Sequence, residues 1–171
     1  MAVVAGTGDL GRILGDPGVV AGSSLAPVIL TLLLAGAFTK SAQFPFHFWL
    51  PGAMVAPTPV STYLHAATMV KAGIYLVARM TPLLAFGGPW RTIVVLVGVT
   101  TAVVGASLAL KQHDLKELLA YSTVSQLGFL MALAGVGTFA ALAAMAAHVL
   151  RHALYKATLF MVVRIIEREG G

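Results

Sequence analysis

The stretch that decides the fold covers residues 138–163 and reads TFAALAAMAAHVLRHALYKATLFMVV. It is long enough to cross a bilayer as one helix. His148, His152 and Lys156 are spaced four residues apart, so they share one helix face and extend roughly 12 Å along the axis. Ionisable side chains are costly at the bilayer centre and usually mark ion or proton paths inside a bundle. These three residues, called the ionisable row below, therefore predict a proton relay.

The composition of the chain is that of a membrane protein. Of its 171 residues 58% are hydrophobic and 10% are charged, and the mean hydropathy is +0.91. At about 20 residues per crossing, this length predicts an all-α, polytopic membrane helix bundle with about five transmembrane helices. The formal net charge of +5 comes without a basic cluster, so no nucleic-acid partner is expected. The absence of cysteine excludes disulfides and thiol chemistry.

The sequence of the first predicted span, about residues 25–50, predicts an interruption of its helix. Pro45 follows a polar TKSAQ run, and proline removes a backbone donor and clashes with the preceding turn, so the helix should be interrupted near Gln43–Phe46. Broken membrane helices are tolerated where they line a polar cavity. Lys40 lies just before the break, where we expect a poorly solvated lysine that exchanges protons near neutral pH. The alternative is a lysine that extends to the membrane interface.

Four further spans follow, with Asp114 as the expected N-cap of the fourth. They are predicted at about Pro59–Ala78, Thr92–Leu110, Lys116–Gly135 and Thr138–Ile166. The Gly-rich residues 1–24 are predicted to form a loop. A membrane chain that opens with such a loop and stops soon after its last helix suggests a piece of a longer protein.

Other polar residues within the spans have two readings each. His65 has a side chain suited to proton transfer, or it is hydrogen-bonded to a neighbouring helix. Lys71 follows six residues later, roughly 120° around the helix, so it need not belong to the same path and could instead pair with a carbonyl or carboxylate. A polar face on the fourth span could line a water wire or hold helices together, and its members are Ser122, Ser125 and Gln126.

Enzyme chemistry finds little support in the sequence. There is no nucleotide-binding glycine motif and no carboxylate cluster for a metal. His148 and His152 could hold zinc by their spacing, but no acidic residue in that segment completes the site. We therefore predict no catalytic residue, no metal and no cofactor, and a transporter subunit rather than an enzyme.

Three long motifs carry a family resemblance. They are FTKSAQFPFHFWLPGAMVAPTPVSTYLHAATMVKAGIYLVAR (residues 38–79), HDLKELLAYSTVSQLGF (113–129) and HVLRHALYKATLFMVV (148–163). In this order they resemble the signatures of the proton-conducting antiporter-like membrane subunits. These subunits occur in Mrp-type multisubunit Na⁺/H⁺ antiporters, in respiratory complex I and in membrane-bound hydrogenases. Within the family the chain is most similar to the large A subunit of the Mrp antiporter, over part of its length.

The resemblance implies a core of roughly fourteen helices with two inverted five-helix repeats. Residues 25–80 would hold the last two helices of the first repeat, 81–91 a connecting loop, and 92–171 the first three helices of the second. Lys40 would be the proton-exchanging lysine of the broken helix, His65 a bridging histidine, and the ionisable row the link to the second half. The chain departs from the family at Arg151 and Arg164, where uncharged residues are expected.

The resulting prediction is a segment of a proton-translocating subunit of a multisubunit Na⁺/H⁺ antiporter in a plasma membrane, specifically a prokaryotic inner membrane. Protons would pass between Lys40, His65 and the ionisable row. Its expected partners are sister membrane subunits, Na⁺, H⁺ and the lipid bilayer. One alternative is a proton-pumping subunit of NADH:quinone oxidoreductase or a related hydrogenase. The other is an inactive structural fragment.

Overall fold

The computed structural model describes residues 1–55, 69–85 and 89–169, and every regular element in these ranges is helical. The predicted all-α class is therefore confirmed. Short turns of 3₁₀-helix lie at Ala53–Val55 and Met69–Lys71. The α-helices are α1 (Ala2–Ala5), α2 (Leu10–Gly15), α3 (Pro17–Ala21), α4 (Ala26–Lys40), α5 (Trp49–Gly52), α6 (Ala72–Arg79), α7 (Thr81–Ala85), α8 (Trp90–Ala109), α9 (Leu115–Val136) and α10 (Phe139–Glu169).

Length and apolarity distinguish the four longest described helices from one another. Two of them, α8 and α9, are long and apolar enough to cross a membrane. Helix α4 is apolar but has only 15 residues, because it stops at the break in the first predicted span. Helix α10 is the longest at 31 residues, and its apolar run is interrupted by the ionisable row and Arg151. The second predicted span is described only from Met69 onward.

The predicted interruption of the first span is confirmed. Helix α4 ends at Lys40 and helical structure resumes at Trp49. The freed backbone groups find new partners: the Gln43 N–H donates to the Phe38 carbonyl at 2.9 Å, and the Trp49 indole donates to the Thr39 carbonyl at 3.0 Å. The break is therefore stabilised by hydrogen bonds of its own, which irregular backbone within a membrane helix requires.

Ser41, at the start of the break, joins the end of α4 to α6 by two hydrogen bonds. Its hydroxyl donates to the Val70 carbonyl at 2.7 Å and accepts from the Ile74 N–H at 3.1 Å. These two groups, four residues apart, would bond to each other in a continuous α-helix, so the hydroxyl is inserted into the ladder where the 3₁₀ turn gives way to α6. Gly73 permits this approach, because a Cβ there would collide with the Ala37 carbonyl and the Ser41 hydroxyl.

Helices α8 and α9 pack through glycines. A Cβ on Gly98 would lie 2.5 Å from the Ala132 nitrogen, and a Cβ on Gly105 would lie 2.6 Å from the Ser125 nitrogen. A Cβ on Gly128 would lie 2.6 Å from the Gly98 carbonyl oxygen, so the two backbones touch at this point. We call Gly98, Gly105 and Gly128 the glycine seam. Small residues of this kind let membrane helices approach closely and gain van der Waals contact.

The ends of α9 follow the sequence signals. Asp114 caps the helix as predicted, since its carboxylate accepts from the N–H groups of Lys116 at 2.7 Å and Glu117 at 3.0 Å. Gly137 ends the helix with a φ of 63°, which glycine adopts without strain. The following helix α10 returns along α9, and an ion pair of 2.9 Å between Lys116 and Glu167 joins its far end to the start of α9.

Two segments predicted as loops are partly helical. The prediction of a loop for residues 1–24 is wrong, because three short helices lie there. Asp9 caps α2 by accepting from Gly11 at 2.8 Å, Pro17 starts α3, and Ile13 and Val20 join the core. In the connection predicted at 81–91, residues 81–85 form α7 and α8 already begins at Trp90.

Candidate functional site

The ionisable row lies on the inward face of α10. The exposed fraction is 8% for His148, 0% for His152 and 2% for Lys156. The outer residues of the same helix are apolar and exposed, such as Leu150 and Leu154. The four-residue spacing thus places three ionisable side chains along one buried stripe, which faces α9 and the residues just before α6.

Lys156, at one end of the row, is held by α9. Its ammonium group donates to the Leu119 carbonyl at 2.9 Å and to the Ser122 hydroxyl. Ser122 in turn donates to the same carbonyl at 2.9 Å, so its oxygen lone pairs face the lysine. Both acceptors are neutral, and no carboxylate within the described residues forms an ion pair with Lys156. The site therefore solvates an ammonium ion without fixing its charge by a counter-ion.

His148, at the other end, is bonded through both ring nitrogens. Its Nε2 lies 2.8 Å from the Gln126 side-chain oxygen of α9, and its Nδ1 lies 2.7 Å from the guanidinium of Arg151. The Phe129 ring packs edge-on against the imidazole at a centroid distance of 5.3 Å. Gln126 and Ser122 are one turn apart on α9, so a single polar stripe of α9 contacts both ends of the row.

His152 occupies the middle of the row and is fully buried. Neither of its ring nitrogens has a hydrogen-bond partner among the described residues. Its nearest ring neighbours are Tyr155 at 5.3 Å and His148 at 6.3 Å between centroids. Most buried polar groups in proteins are paired, and an exception calls for a functional explanation. A histidine with two unoccupied nitrogens can accept a proton on one and release a proton from the other.

Lys71 belongs to the same site, which the sequence interpretation did not favour. It is buried, and its ammonium lies 3.4 Å from the Val149 carbonyl of α10, one residue after His148. It is close enough to His148 and His152 to act on both electrostatically. The expected direction, about 120° away from the path, assumed a regular helix with His65. Its side chain instead reaches α10 from the turn before α6, beside a cavity lined by residues of both helices.

The remaining candidates are less closely connected. Lys40 ends α4 with its side chain exposed, so the expected poorly solvated environment is wrong within this segment; the inward face of that turn is taken by Ala37 and Ser41. Ser125 donates to the Ala102 carbonyl of α8 at 2.8 Å, so it faces α8, whereas Ser122 and Gln126 face α10. His65 lies outside the described residues.

Two buried polar residues in the break were missed by the sequence interpretation. Gln43 is fully buried and donates to the Ser41 carbonyl at 2.8 Å. His47 is 3% exposed, and its ring packs against Phe48 at 4.2 Å and Phe44 at 5.9 Å. A histidine within the otherwise apolar stretch FPFHFWLP is the signal that could have identified it, but the aromatic neighbours made a membrane-interface position equally reasonable.

The interrupted helix, the close-packed helix pair and the buried ionisable row define a class: a polytopic helical membrane protein with ionisable groups inside its bundle. Comparison with known families agrees. Residues 4–171 match the family described as NADH:quinone oxidoreductase/Mrp antiporter, transmembrane. The chain belongs to this family.

Individual relatives are similar over nearly the whole chain. The A subunit of a Na⁺/H⁺ antiporter from Bacillus subtilis is 54% identical over 89% of this chain and 20% of its own length. The A/B subunit of a probable K⁺/H⁺ antiporter from Rhizobium meliloti is 49% identical over 98% of this chain and 17% of its own length. The chain thus spans about a fifth of the length of these curated relatives.

Solved structures support the same fold. A chain of the Mrp complex from Dietzia sp. DQ12-45-1b superposes with a TM-score of 0.87 at 52% identity, over 99% of this chain and 19% of that chain. A chain of the membrane-bound sulfane sulfur reductase, an archaeal respiratory membrane complex, gives a TM-score of 0.81 at 28% identity, over 94% of this chain and 33% of that chain. The predicted family and membrane helix architecture are therefore confirmed.

Proposed function

We propose that this segment forms part of the proton path in a subunit of a multisubunit Na⁺/H⁺, or monovalent cation/proton, antiporter. The observation that carries the proposal is the buried ionisable row. Its central histidine has no hydrogen-bond partner among the described residues, and it lies between a hydrogen-bonded histidine and a lysine solvated by neutral oxygens. A purely structural polar cluster would satisfy its own members. In the described part of the chain, neither nitrogen of the central imidazole is engaged, so both can exchange protons.

The path consists of Lys71, His148, His152 and Lys156 in the described residues, with Ser122 and Gln126 as its uncharged lining. Water molecules carry protons between these groups, since the imidazole rings of the row are 6.3 Å apart between centroids. The family resemblance supports His65 and Lys40 as further members of the path. The sister membrane subunits and the cation site belong to the rest of the complex, which lies in a plasma membrane.

The relatives named as Na⁺/H⁺ and K⁺/H⁺ antiporter subunits support antiport as the activity of the whole protein. The similarity to a chain of an archaeal respiratory membrane complex supports an alternative, in which redox chemistry elsewhere drives the same relay. Purification of the native complex and identification of its subunits by mass spectrometry separates the two. Small membrane antiporter subunits favour the first, and redox modules favour the second. An inactive fragment is the third outcome, and it requires that no complex forms.

The relay is tested at Lys156 in a complete subunit that carries this segment. Lys156→Arg keeps a permanent charge and Lys156→Ala removes the relay point, so both should lower ΔpH-driven Na⁺ efflux in everted vesicles at least tenfold. Leu154→Ala, on the outward face of the same helix, is the matched control and should keep most activity. Near-normal transport by both Lys156 variants in a fully assembled complex would contradict the proposal and favour a packing role.

A further inference from the structure

Arg151 makes a contact that fixes the chemical state of His148. A guanidinium group carries only N–H donors and stays charged in proteins, so it cannot accept a hydrogen bond. The His148 Nδ1 atom, 2.7 Å from the Arg151 Nη2, must therefore be the acceptor and carry no proton. A neutral imidazole has one N–H, which must be at Nε2, where the Gln126 side-chain oxygen accepts it at 2.8 Å. The two bonds together select one tautomer of a neutral ring.

We propose that Arg151 is a positioning residue that holds His148 as the neutral Nε2–H tautomer, and that it must leave Nδ1 before His148 can accept a proton. The inference rests on the proposed proton path and adds a control point to it. Protonation of Nδ1 with Arg151 in place would oppose two cations at hydrogen-bond distance and remove the acceptor. Arg151 and a proton therefore compete for the same nitrogen.

The surroundings give Arg151 room to move. Its side chain is on the exposed side of α10, whereas His148, three residues earlier, is 8% exposed. A cavity of about 370 Å³ opens beside both residues, and its other lining residues are Phe129, Leu133, Ala144 and Ala147. None of these four offers a carboxylate that would hold the guanidinium away from the ring. The Nδ1 atom is thus the polar partner that Arg151 leaves and returns to at this site.

The proton balance of one cycle is simple. Arg151 swings into the cavity, and the freed Nδ1 takes a proton that water molecules deliver from the preceding group of the path, while Nε2 keeps its own. The ring, now an imidazolium, releases the Nδ1 proton through water to the next acceptor. This restores the neutral Nε2–H tautomer, and Arg151 returns to Nδ1. Among the residues that the structure describes, the other ionisable groups that face His148 are Lys71, from the turn before α6, and His152 on its own helix. The face of α9 contributes the uncharged Gln126 and Phe129.

The test uses Arg151→Leu, which removes both donor and charge, and Arg151→Lys, which keeps both on a flexible stem. Arg164→Leu removes an exposed arginine from the same helix and is the matched control. All are made in the complete antiporter complex in lipid. Solid-state ¹⁵N NMR of labelled histidine distinguishes protonated from unprotonated ring nitrogens, and His148→Gln assigns the signals. The pH profile of Na⁺ efflux is measured on the same samples.

We expect wild type, Arg151→Lys and Arg164→Leu to show His148 with a protonated Nε2 and an unprotonated Nδ1. Arg151→Leu should show a mixture of tautomers and imidazolium, with the pH profile displaced upward by about one unit, because a charge-assisted hydrogen bond changes proton affinity roughly tenfold. If Arg151→Leu does not assemble, Arg151→Ala replaces it.

An unchanged tautomer and pH profile in the assembled leucine or alanine variant would overturn the inference. Absence of proton-coupled transport in the wild-type complex would instead contradict the proposed function. The NMR result still decides the role of Arg151 in that case, because the tautomer is read without transport.

Discussion

The two faces of α9 are held to their neighbours by different means. Toward α8 the contact is made by the glycine seam and by Ser125, whose hydroxyl donates to the Ala102 carbonyl. Toward α10 the contact consists of Ser122 and Gln126 against ionisable side chains. The first face leaves its polar groups paired within the protein, and the second leaves His152 unpartnered among the described residues.

This difference separates stability from function within one helix. Close backbone packing and completed hydrogen bonds fix the position of α9 against α8. Ser122 and Gln126, which contact the ionisable row, do not also have to hold the bundle together. The row can therefore exchange protons while α9 stays in a fixed position. Variants on the α8 face should therefore alter folding, and variants on the α10 face should alter transport.

The largest expected effect is on folding, at the glycine seam. Gly98→Ala adds a Cβ that would lie 2.5 Å from the Ala132 nitrogen, a backbone atom that cannot yield. We expect a loss of about 3 kcal/mol or more, or failure to accumulate in the membrane. The measurement is thermal unfolding in detergent together with membrane yield.

Gly36→Ala is the matched control for this prediction. A Cβ at Gly36 meets nothing within 4 Å, so the same substitution on α4 should be neutral or stabilise by roughly 0.5–1 kcal/mol. Equal stability of the two variants would contradict the role of the glycine seam.

The second expected effect is a loss of transport without a loss of stability, at His152. His152→Leu removes two buried nitrogens that have no partner in the described part of the chain, so the fold should be as stable as wild type or more so. Proton-coupled Na⁺ efflux of the complete subunit should fall at least tenfold, because the middle of the row is lost. A large drop in melting temperature would show that His152 serves the fold, and that the two faces are not separated as argued.

A third, intermediate effect is expected at Thr101 of α8, which forms a hydrogen bond to the break. Thr101 accepts from the Phe44 N–H at 2.9 Å, so Thr101→Val leaves that donor unsatisfied in a nearly isosteric side chain. The cost should be about 1–3 kcal/mol in thermal unfolding. Transport per assembled complex should stay close to wild type. Transport lost out of proportion to assembly would mean that the break itself takes part in the proton path.

The sequence predicted much of this arrangement, for identifiable physical reasons. Regular spacing on a long helix is preserved by folding, so the ionisable row was found from His148, His152 and Lys156 alone. Pro45 and Asp114 act through their own backbone neighbourhood, so the break and the cap of α9 were also predicted correctly.

Contacts between helices were predicted less well. The place of Lys71 depends on where the turn before α6 lies relative to α10. The angle between Lys71 and His65 around a helix does not predict this position. Ser125 and Gln126 are adjacent in sequence but about 100° apart around α9, so one bonds to α8 and the other to α10. The exposure of Lys40 depends on which face of α4 the break turns inward.

The smallest expected effects come from two serines of α9 that test the comparison within one helical turn. Ser125→Ala removes a hydrogen bond to the Ala102 carbonyl and should cost about 1 kcal/mol of stability with no change in transport.

Ser122→Ala removes one acceptor of the Lys156 ammonium. It should leave the melting temperature nearly unchanged and shift the pH profile of Na⁺ efflux downward, because the protonated lysine loses a stabilising contact while the Leu119 carbonyl still holds it. Both variants are made in the complete antiporter complex, where they are compared by thermal unfolding and by transport over a pH series. If both serines changed only stability, or both changed the pH profile, the two faces of α9 would not have the separate roles argued from their contacts.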